Sequence, residues 1–113
     1  MMLALQILYV AVGLVANAMS WVHRLRTGKT LTPVDPRGGL LTMVLYAACV
    51  VLRHYAVPGT DAALVVMLLV IAYGGVYRHL RSDANEYACA ASRWTAIAIN
   101  SFGVLITTTT LIT

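Results

Sequence analysis

Apolar residues gather in four stretches of the chain, at about residues 1–22, 38–57, 62–77 and 94–113. A helix that crosses a bilayer needs about 20 mainly apolar residues, with a range of about 17–25. The first, second and fourth stretches meet this length. The third is slightly short, but Arg78 follows it, and a long basic side chain can reach the headgroups from inside the membrane boundary. The pattern therefore predicts four transmembrane spans.

These spans are expected to be helices, because an open sheet edge in lipid would leave backbone groups without partners. The alternating strands of a membrane barrel are not visible in the sequence. The fourth span contains a threonine run at residues 107–110, which is unfavourable for a helix in water. In a membrane the threonine hydroxyls can bond back to helix carbonyls. The predicted fold class is all-α, a polytopic transmembrane bundle of four spans forming one domain over residues 1–113.

The composition agrees with a membrane protein. Hydrophobic residues make up 60% of the chain and charged residues 11%, whereas soluble domains carry about 25% charged residues. The net charge is +4, but the basic residues lie in short loops rather than on a basic helix or tail. The lipid bilayer is therefore the predicted partner, and no nucleic acid is expected.

The basic residues also predict an orientation. Four lie in the connection 23–37 and three in the connection 78–93, while one lies beside the hairpin between the second and third spans. They are Arg24, Arg26, Lys29 and Arg37, then Arg78, Arg81 and Arg93, with Arg53 beside the hairpin. Lys and Arg favour the cytoplasmic side, so both connections are predicted to be cytoplasmic in a bacterial inner membrane, with the amino terminus outside. No basic residue precedes the first apolar run, so that run is expected to be retained rather than cleaved.

Small and polar residues recur at helical spacing within the spans. The predicted helix-packing or pore-facing residues are Gln6, Gly13, Asn17 and Ser20, then Thr42, Tyr46, Cys49 and Arg53, then Asn100, Gly103 and Thr107. Small residues allow helix backbones to approach closely, and polar side chains bond across helices. Polar residues at membrane depth also mark functional paths. Packing seams within one bundle and a polar path, or a self-association face, are both compatible with this pattern.

Metal and haem sites are not predicted. Cys49 lies at bilayer depth and Cys89 in a loop, so the two cannot form a disulfide, and no zinc spacing is present. His54 falls on the opposite side of the membrane from His23 and His79, which are expected in basic interfacial segments outside the bundle. No cofactor is predicted.

An enzyme is not predicted either, because the sequence holds no paired carboxylates, no Ser/His/Asp set and no phosphate-binding loop. No acidic residue lies inside a span, which argues against proton-coupled transport. Arg53 is expected to reach the hairpin interface, where it could pair with Asp61.

The chain resembles the three-span phage holins in its architecture. The likeness covers about residues 1–82, and the fourth apolar stretch lies outside it. Its parts are an apolar Leu3–Trp21, the basic turn His23-Arg24-Leu25-Arg26, a second span Gly39–Leu52, the hairpin Pro58-Gly59 and a third span Ala62–Arg81. The resemblance implies a protein that self-associates in the cytoplasmic membrane and permeabilises it.

The sequence is therefore compatible with three functions. The first is holin-like permeabilisation by a self-associating protein. The second is an accessory subunit of a larger membrane complex, respiratory or photosynthetic, that contacts other subunits through its helix faces. The third is a small channel or transporter.

Overall fold

The computed structural model describes residues 1–113. All of its regular secondary structure is helical, and turns and loops connect the helices. Four helices are long and apolar enough to cross a membrane: α1 at Met2–Thr27, α2 at Pro36–His54, α3 at Thr60–Arg81 and α4 at Ala90–Ile112. A short 3-10 turn, Ala84–Glu86, lies between α3 and α4. The predicted all-α bundle with four spans is confirmed.

Helix α1 continues past the apolar stretch into the basic residues that follow it. Arg24 and Arg26 lie in its last turn, where positive charge is favourable beside the unpaired carbonyls. The helix ends at Gly28, whose φ of 79° is left-handed and whose N–H donates to the Arg24 carbonyl at 2.8 Å. A glycine in this conformation is a common helix terminator.

Helix α2 begins with a capping residue followed by proline. Asp35 is the N-cap, and its Oδ1 accepts a hydrogen bond from the Arg37 N–H at 3.0 Å. Pro36 occupies the first helical position, where its missing N–H costs nothing. The Arg37 N–H bond is the main cause that lowers the pKa of the Asp35 carboxyl, so the cap is charged at neutral pH.

Helix α3 starts after Gly59, which turns the hairpin with a φ of 85°. It has 22 residues, because the helix continues beyond the apolar stretch through Arg81. The segment Ile71–Tyr77 is π-helical. Segments of this kind are rare and are often found at functional sites.

The threonines of α4 bond to its own backbone, as the sequence predicts. The Thr107 hydroxyl donates to the Gly103 carbonyl at 2.7 Å, and the Thr110 hydroxyl donates to the Ile106 carbonyl at 2.8 Å. The run is therefore compatible with a helix at membrane depth.

The four helices form a ring in which α1 packs on α2 and α4, and α3 also packs on α2 and α4. Helix α2 contacts the Thr60–Val70 half of α3, whereas the Ile71–Arg81 half packs on α4. The bundle has two distinct ends. The hairpin end holds the Pro58-Gly59 turn and both chain termini, and the basic end holds the loops 28–35 and 82–89.

The buried core occupies the middle of the bundle and the hairpin end. Its members are Tyr9, Met43, Tyr46, Val50, Leu64, Met67, Ile71 and Ile106. At the surface of this end, Arg53 Nε donates to Asp61 at 2.8 Å and Nη2 donates to the Thr110 carbonyl at 3.3 Å. The predicted Arg53–Asp61 pair is confirmed, and the second bond of Arg53, to the Thr110 carbonyl, ties the hairpin to α4.

Candidate functional site, a cavity in the basic half

A cavity of about 480 Å³ lies between the four helices in the basic half of the bundle. All four helices and the loop 28–35 contribute to its wall. The wall is mostly glycine, alanine and larger apolar side chains, with a few hydroxyl and amide groups. Arg78 and His79 are the only lining residues that can carry charge, and no carboxylate lines the cavity.

The cavity exists because small residues lie where α2 and the second half of α3 separate. Gly38 of α2 and Gly74 of α3 both line it, and a Cβ added at either would meet no atom within 4 Å. Helix α2 packs on the Thr60–Val70 half of α3 rather than on the Ile71–Arg81 half.

Two asparagines each pack against a glycine of a neighbouring helix. Asn17 of α1 lies against Gly39 of α2, and Asn100 of α4 lies against Gly75 of α3, so close that a Cβ on either glycine would overlap the amide. Asn17 Nδ2 donates to the carbonyl of Gly13, one turn earlier, at 2.8 Å. Its Oδ1 makes no hydrogen bond within the protein and remains an acceptor at the cavity wall.

The cavity is closed toward the hairpin end by two buried tyrosines. The rings of Tyr9 and Tyr46 meet edge to face with centroids 5.2 Å apart, and both side chains are fully buried. The Tyr9 hydroxyl donates to Asn100 Oδ1 at 3.3 Å, which uses the amide oxygen inside the protein.

A directed set of hydrogen bonds fixes the second tyrosine. Because the Thr107 hydroxyl donates to a backbone carbonyl, it accepts from the Tyr46 hydroxyl, 2.7 Å away. The Tyr46 oxygen in turn accepts from Gln6 Nε2 at 3.5 Å. No buried side-chain nitrogen or oxygen lacks a partner, so these polar groups stabilise a closed plug rather than a water-filled path.

The basic end of the cavity is covered by the loop 82–89. The His79 side chain is only 3% exposed, and its Nδ1 lies 2.6 Å from the hydroxyl of Tyr87 in that loop. The sequence placed His79 in an interfacial segment outside the bundle, which is wrong because the loop folds over it. The Ala88 N–H also donates to the Leu31 carbonyl at 3.0 Å, so the loops 28–35 and 82–89 meet at one end.

Arg93 holds the ends of α3 and α4 together at this point. Its Nε donates to the His79 carbonyl at 3.2 Å and its Nη2 to the Leu80 carbonyl at 3.1 Å. The last carbonyls of a helix have no hydrogen-bond donor within the helix. Here the Arg93 side chain of the next helix donates to two of them. Arg78, by contrast, is exposed and forms no ion pair.

The structure divides the residues that the sequence singled out into three groups. Gly13, Asn17, Ser20, Thr42 and Asn100 line the cavity. Gln6, Tyr46, Gly103 and Thr107 are buried in the plug beyond it, and Cys49 and Arg53 lie toward the hairpin end.

Sequence reasoning missed Gly39 and His79 as parts of the cavity wall. Gly39 precedes Thr42 by three residues and Tyr46 by seven, so helical spacing already placed it on that face. For His79 no such signal existed, because its burial depends on a loop.

The glycine pair of α3 gives a sharp test of this packing. We expect Gly75→Ala to lower the free energy of unfolding by about 1–3 kcal/mol, because the added Cβ overlaps the Asn100 amide. The neighbouring Gly74→Ala should be neutral or should stabilise by up to about 1 kcal/mol, because its Cβ meets open space and alanine favours a helix. Reversible unfolding in mixed micelles, followed by circular dichroism, measures both, and equal losses would contradict the helix contact described here.

The cavity can hold a small organic molecule, with hydrogen-bonding groups near its basic end and an apolar wall deeper in the bundle. This assignment rests on the geometry of the chain itself. Comparison of the chain with protein-family models, with curated proteins and with solved structures finds no match.

Proposed function

We propose that the chain is a small membrane transport protein that binds an organic solute in the cavity between its four helices. The observation that carries this proposal is one cavity of about 480 Å³ inside a single chain, closed toward the hairpin end by Tyr9 and Tyr46. Sites for small molecules measure about 300–1,000 Å³ and are mainly apolar with a few placed polar groups. The cavity fits this description.

A carrier is favoured over an open ion channel by the same geometry. Passage requires the tyrosine plug to move, since its side chains are fully packed and hydrogen-bonded. The π-helical segment Ile71–Tyr77 borders the cavity and includes two adjacent glycines. Such a segment supports a carrier, because π-helical turns are rare and occur frequently at functional sites.

Holin-like permeabilisation remains the alternative that the resemblance suggests. It requires polar helix faces that line a pore between copies of the chain. Gln6, Tyr46 and Thr107 are buried within one chain. Because these polar side chains pack inside the bundle and do not face a second copy, we rank transport first. An accessory role in a larger complex is the further alternative, for which the apolar outer faces of the helices would supply the contacts.

The proposed function is tested by filling the cavity without disturbing the contacts around it. Gly74 lines the cavity and a Cβ added there meets no atom within 4 Å, so Gly74→Leu is expected to fold with its side chain occupying part of the cavity. The chain is purified in mild detergent and examined by native mass spectrometry, in which wild type should carry a small-molecule adduct that the variant lacks. Vesicles loaded with a mixture of organic acids, amines and neutral solutes should also lose at least one solute faster with wild type than with Gly74→Leu.

Identical adducts and identical solute loss for both proteins would overturn the proposal. The same mass spectra test the alternatives. A fixed assembly with other chains would favour the accessory subunit, and a large ring or ladder of this chain alone would favour the holin-like pore.

We also propose that the basic end faces the cytoplasm of a bacterial cell, with the amino terminus outside. Seven of the eight Lys and Arg residues lie at the basic end or in the helix turns beside it, and only Arg53 lies at the hairpin end. This asymmetry is the main determinant of orientation in membrane proteins. The cavity then belongs to the cytoplasmic half of the membrane.

Thiol labelling tests this orientation. Cys89 is exposed in the loop 82–89, and hydrogen bonds from the Ser92 hydroxyl and backbone N–H lower the pKa of its thiol. Because the thiolate is the reactive form, an impermeant maleimide should label Cys89 in inverted membrane vesicles but not in intact spheroplasts. Ser92→Ala should slow the labelling at neutral pH, and Cys89→Ser should abolish it, since Cys49 lies within a spanning helix. Labelling in spheroplasts would reverse the proposed orientation.

A further inference from the structure

The charged and hydroxyl groups of the cavity wall are concentrated near its basic end. Arg78, Ser92 and Thr95 lie there, beside the apolar Leu31 and Val34 of the loop 28–35. Toward the plug the wall contains Met43, Val70, Ile71 and Ile99. Asn100 also lies deep, but its two amide groups are engaged with Ala96 and Tyr9. A molecule that matches this wall has a polar head and an apolar body, with the head at the basic end.

Helices α2 and α3 pack on each other mainly near the hairpin end, through the Thr60–Val70 half of α3. Toward the basic end small residues of both helices, Gly38 and Gly39 of α2 and Gly74 and Gly75 of α3, line the cavity. A gap between spanning helices opens toward lipid chains rather than toward water. An occupant with a flexible apolar chain can therefore reach the cavity from the membrane, and a wholly polar solute cannot use this route.

The charge at the head position is positive. Arg78 lines the cavity and is free of ion pairs, and no acidic residue lines the cavity. His79 lies beside it, with Nδ1 bound to Tyr87 and no protein partner for Nε2. A guanidinium without a partner favours a carboxylate or a phosphate, with which it forms charge-assisted hydrogen bonds.

On this basis we infer that the cavity takes a single-chain anionic amphiphile, with its headgroup beside Arg78 and its chain against the apolar wall near the plug. This inference rests on the proposed function and names the class of its solute. The shared chemistry is an anionic head on one apolar chain, and both carboxylates and phosphate monoesters provide it.

The test uses three probes with the same twelve-carbon chain: dodecanoate, dodecyl phosphate and dodecyltrimethylammonium. Binding to the purified wild-type chain is measured by native mass spectrometry in a neutral detergent. We expect one equivalent of at least one anionic probe to bind about tenfold or more tightly than the cationic probe. The two anionic probes separate a carboxylate source from a phosphate source.

Two arginine variants make the test specific. Arg78→Gln should weaken binding of the anionic probe by about tenfold or more, because it removes the charge beside the head. Arg81→Gln is the matched control, since it removes the same charge from an exposed position three residues away that does not line the cavity. The control should bind all three probes as wild type does.

The inference is overturned if the cationic probe binds as tightly as both anions, or if Arg78→Gln and Arg81→Gln behave alike. The outcome with Gly74→Leu separates the two proposals. If that variant loses its natural adduct while the anionic probes fail to bind wild type, the cavity binds another class of solute and the proposed function stands. If the variant keeps both the adduct and the probes, both proposals fail.

Discussion

Replacement of Tyr9 by alanine is expected to lower the free energy of unfolding by about 3–5 kcal/mol, the range for removing a large buried aromatic side chain. The ring is fully buried and contacts Tyr46 edge to face, with Phe102 also nearby at a centroid distance of 6.5 Å. It joins α1 to α2 and α4 at the depth of the plug. In lipid, helix association depends on van der Waals packing rather than on the hydrophobic effect. Removing the ring would leave a cavity, and the packing contacts of the ring would be lost without replacement.

Tyr9→Phe is the control for this prediction. It keeps the ring and removes only the 3.3 Å hydrogen bond to Asn100, and such bonds in membrane proteins are worth about 0.6 kcal/mol on average. Reversible unfolding in mixed micelles measures both variants. A loss with phenylalanine as large as that with alanine would mean that the hydroxyl, and not the ring, holds the helices together.

Gly103→Leu is expected to destabilise the bundle by about 3 kcal/mol, at the upper end of the usual cost of overpacking. The Tyr9 ring lies directly against Gly103, so that even a Cβ would overlap its atoms. The ring cannot move aside easily, since it is fully buried among other aromatic side chains. Ser101→Leu, at an exposed position on the same helix, should change stability by no more than about 0.5 kcal/mol.

The two largest effects should also compensate each other. In the double variant Tyr9→Ala with Gly103→Leu, the new side chain enters the space that the ring leaves. The combined loss should therefore be smaller than the sum of the single losses by about 0.5–3 kcal/mol, the usual coupling between residues in contact. Strict additivity would contradict the contact between α1 and α4.

The number and type of the helices could be predicted because each apolar stretch approaches the width of a bilayer. The first and last residues of the helices depend on capping residues and on basic side chains rather than on the apolar stretches. The short third stretch belongs to a helix that continues to Arg81, because basic side chains are tolerated in a helix once they reach the headgroups. The start of α2 at Pro36 is also encoded, since Asp35 followed by proline is a capping pattern, but the apolar stretch used to predict this span begins only at residue 38.

The cavity could not be predicted, although several residues of its wall were. Helical spacing identifies a face but not the helix against which that face packs, so it could place Asn17 and Asn100 without pairing them with Gly39 and Gly75. Small residues in a membrane helix predict close approach. At Gly38 and Gly74 the helices instead separate, and that separation depends on how all four helices lean against one another.

The contacts of Arg93 have a practical consequence for the loop 82–89, which connects α3 to α4. This side chain bonds the end of α3 from the beginning of α4, so the two helix ends are held together by side-chain bonds and helix packing as well as by the chain that connects them. Closing a longer loop adds little entropic cost, and Asp83 and Ala84 are exposed ahead of the Tyr87 contact. An epitope or folded marker inserted between these two residues would leave the bundle intact. The insertion would provide a water-exposed tag for purification and imaging of a 12.2 kDa protein that is mostly transmembrane helix.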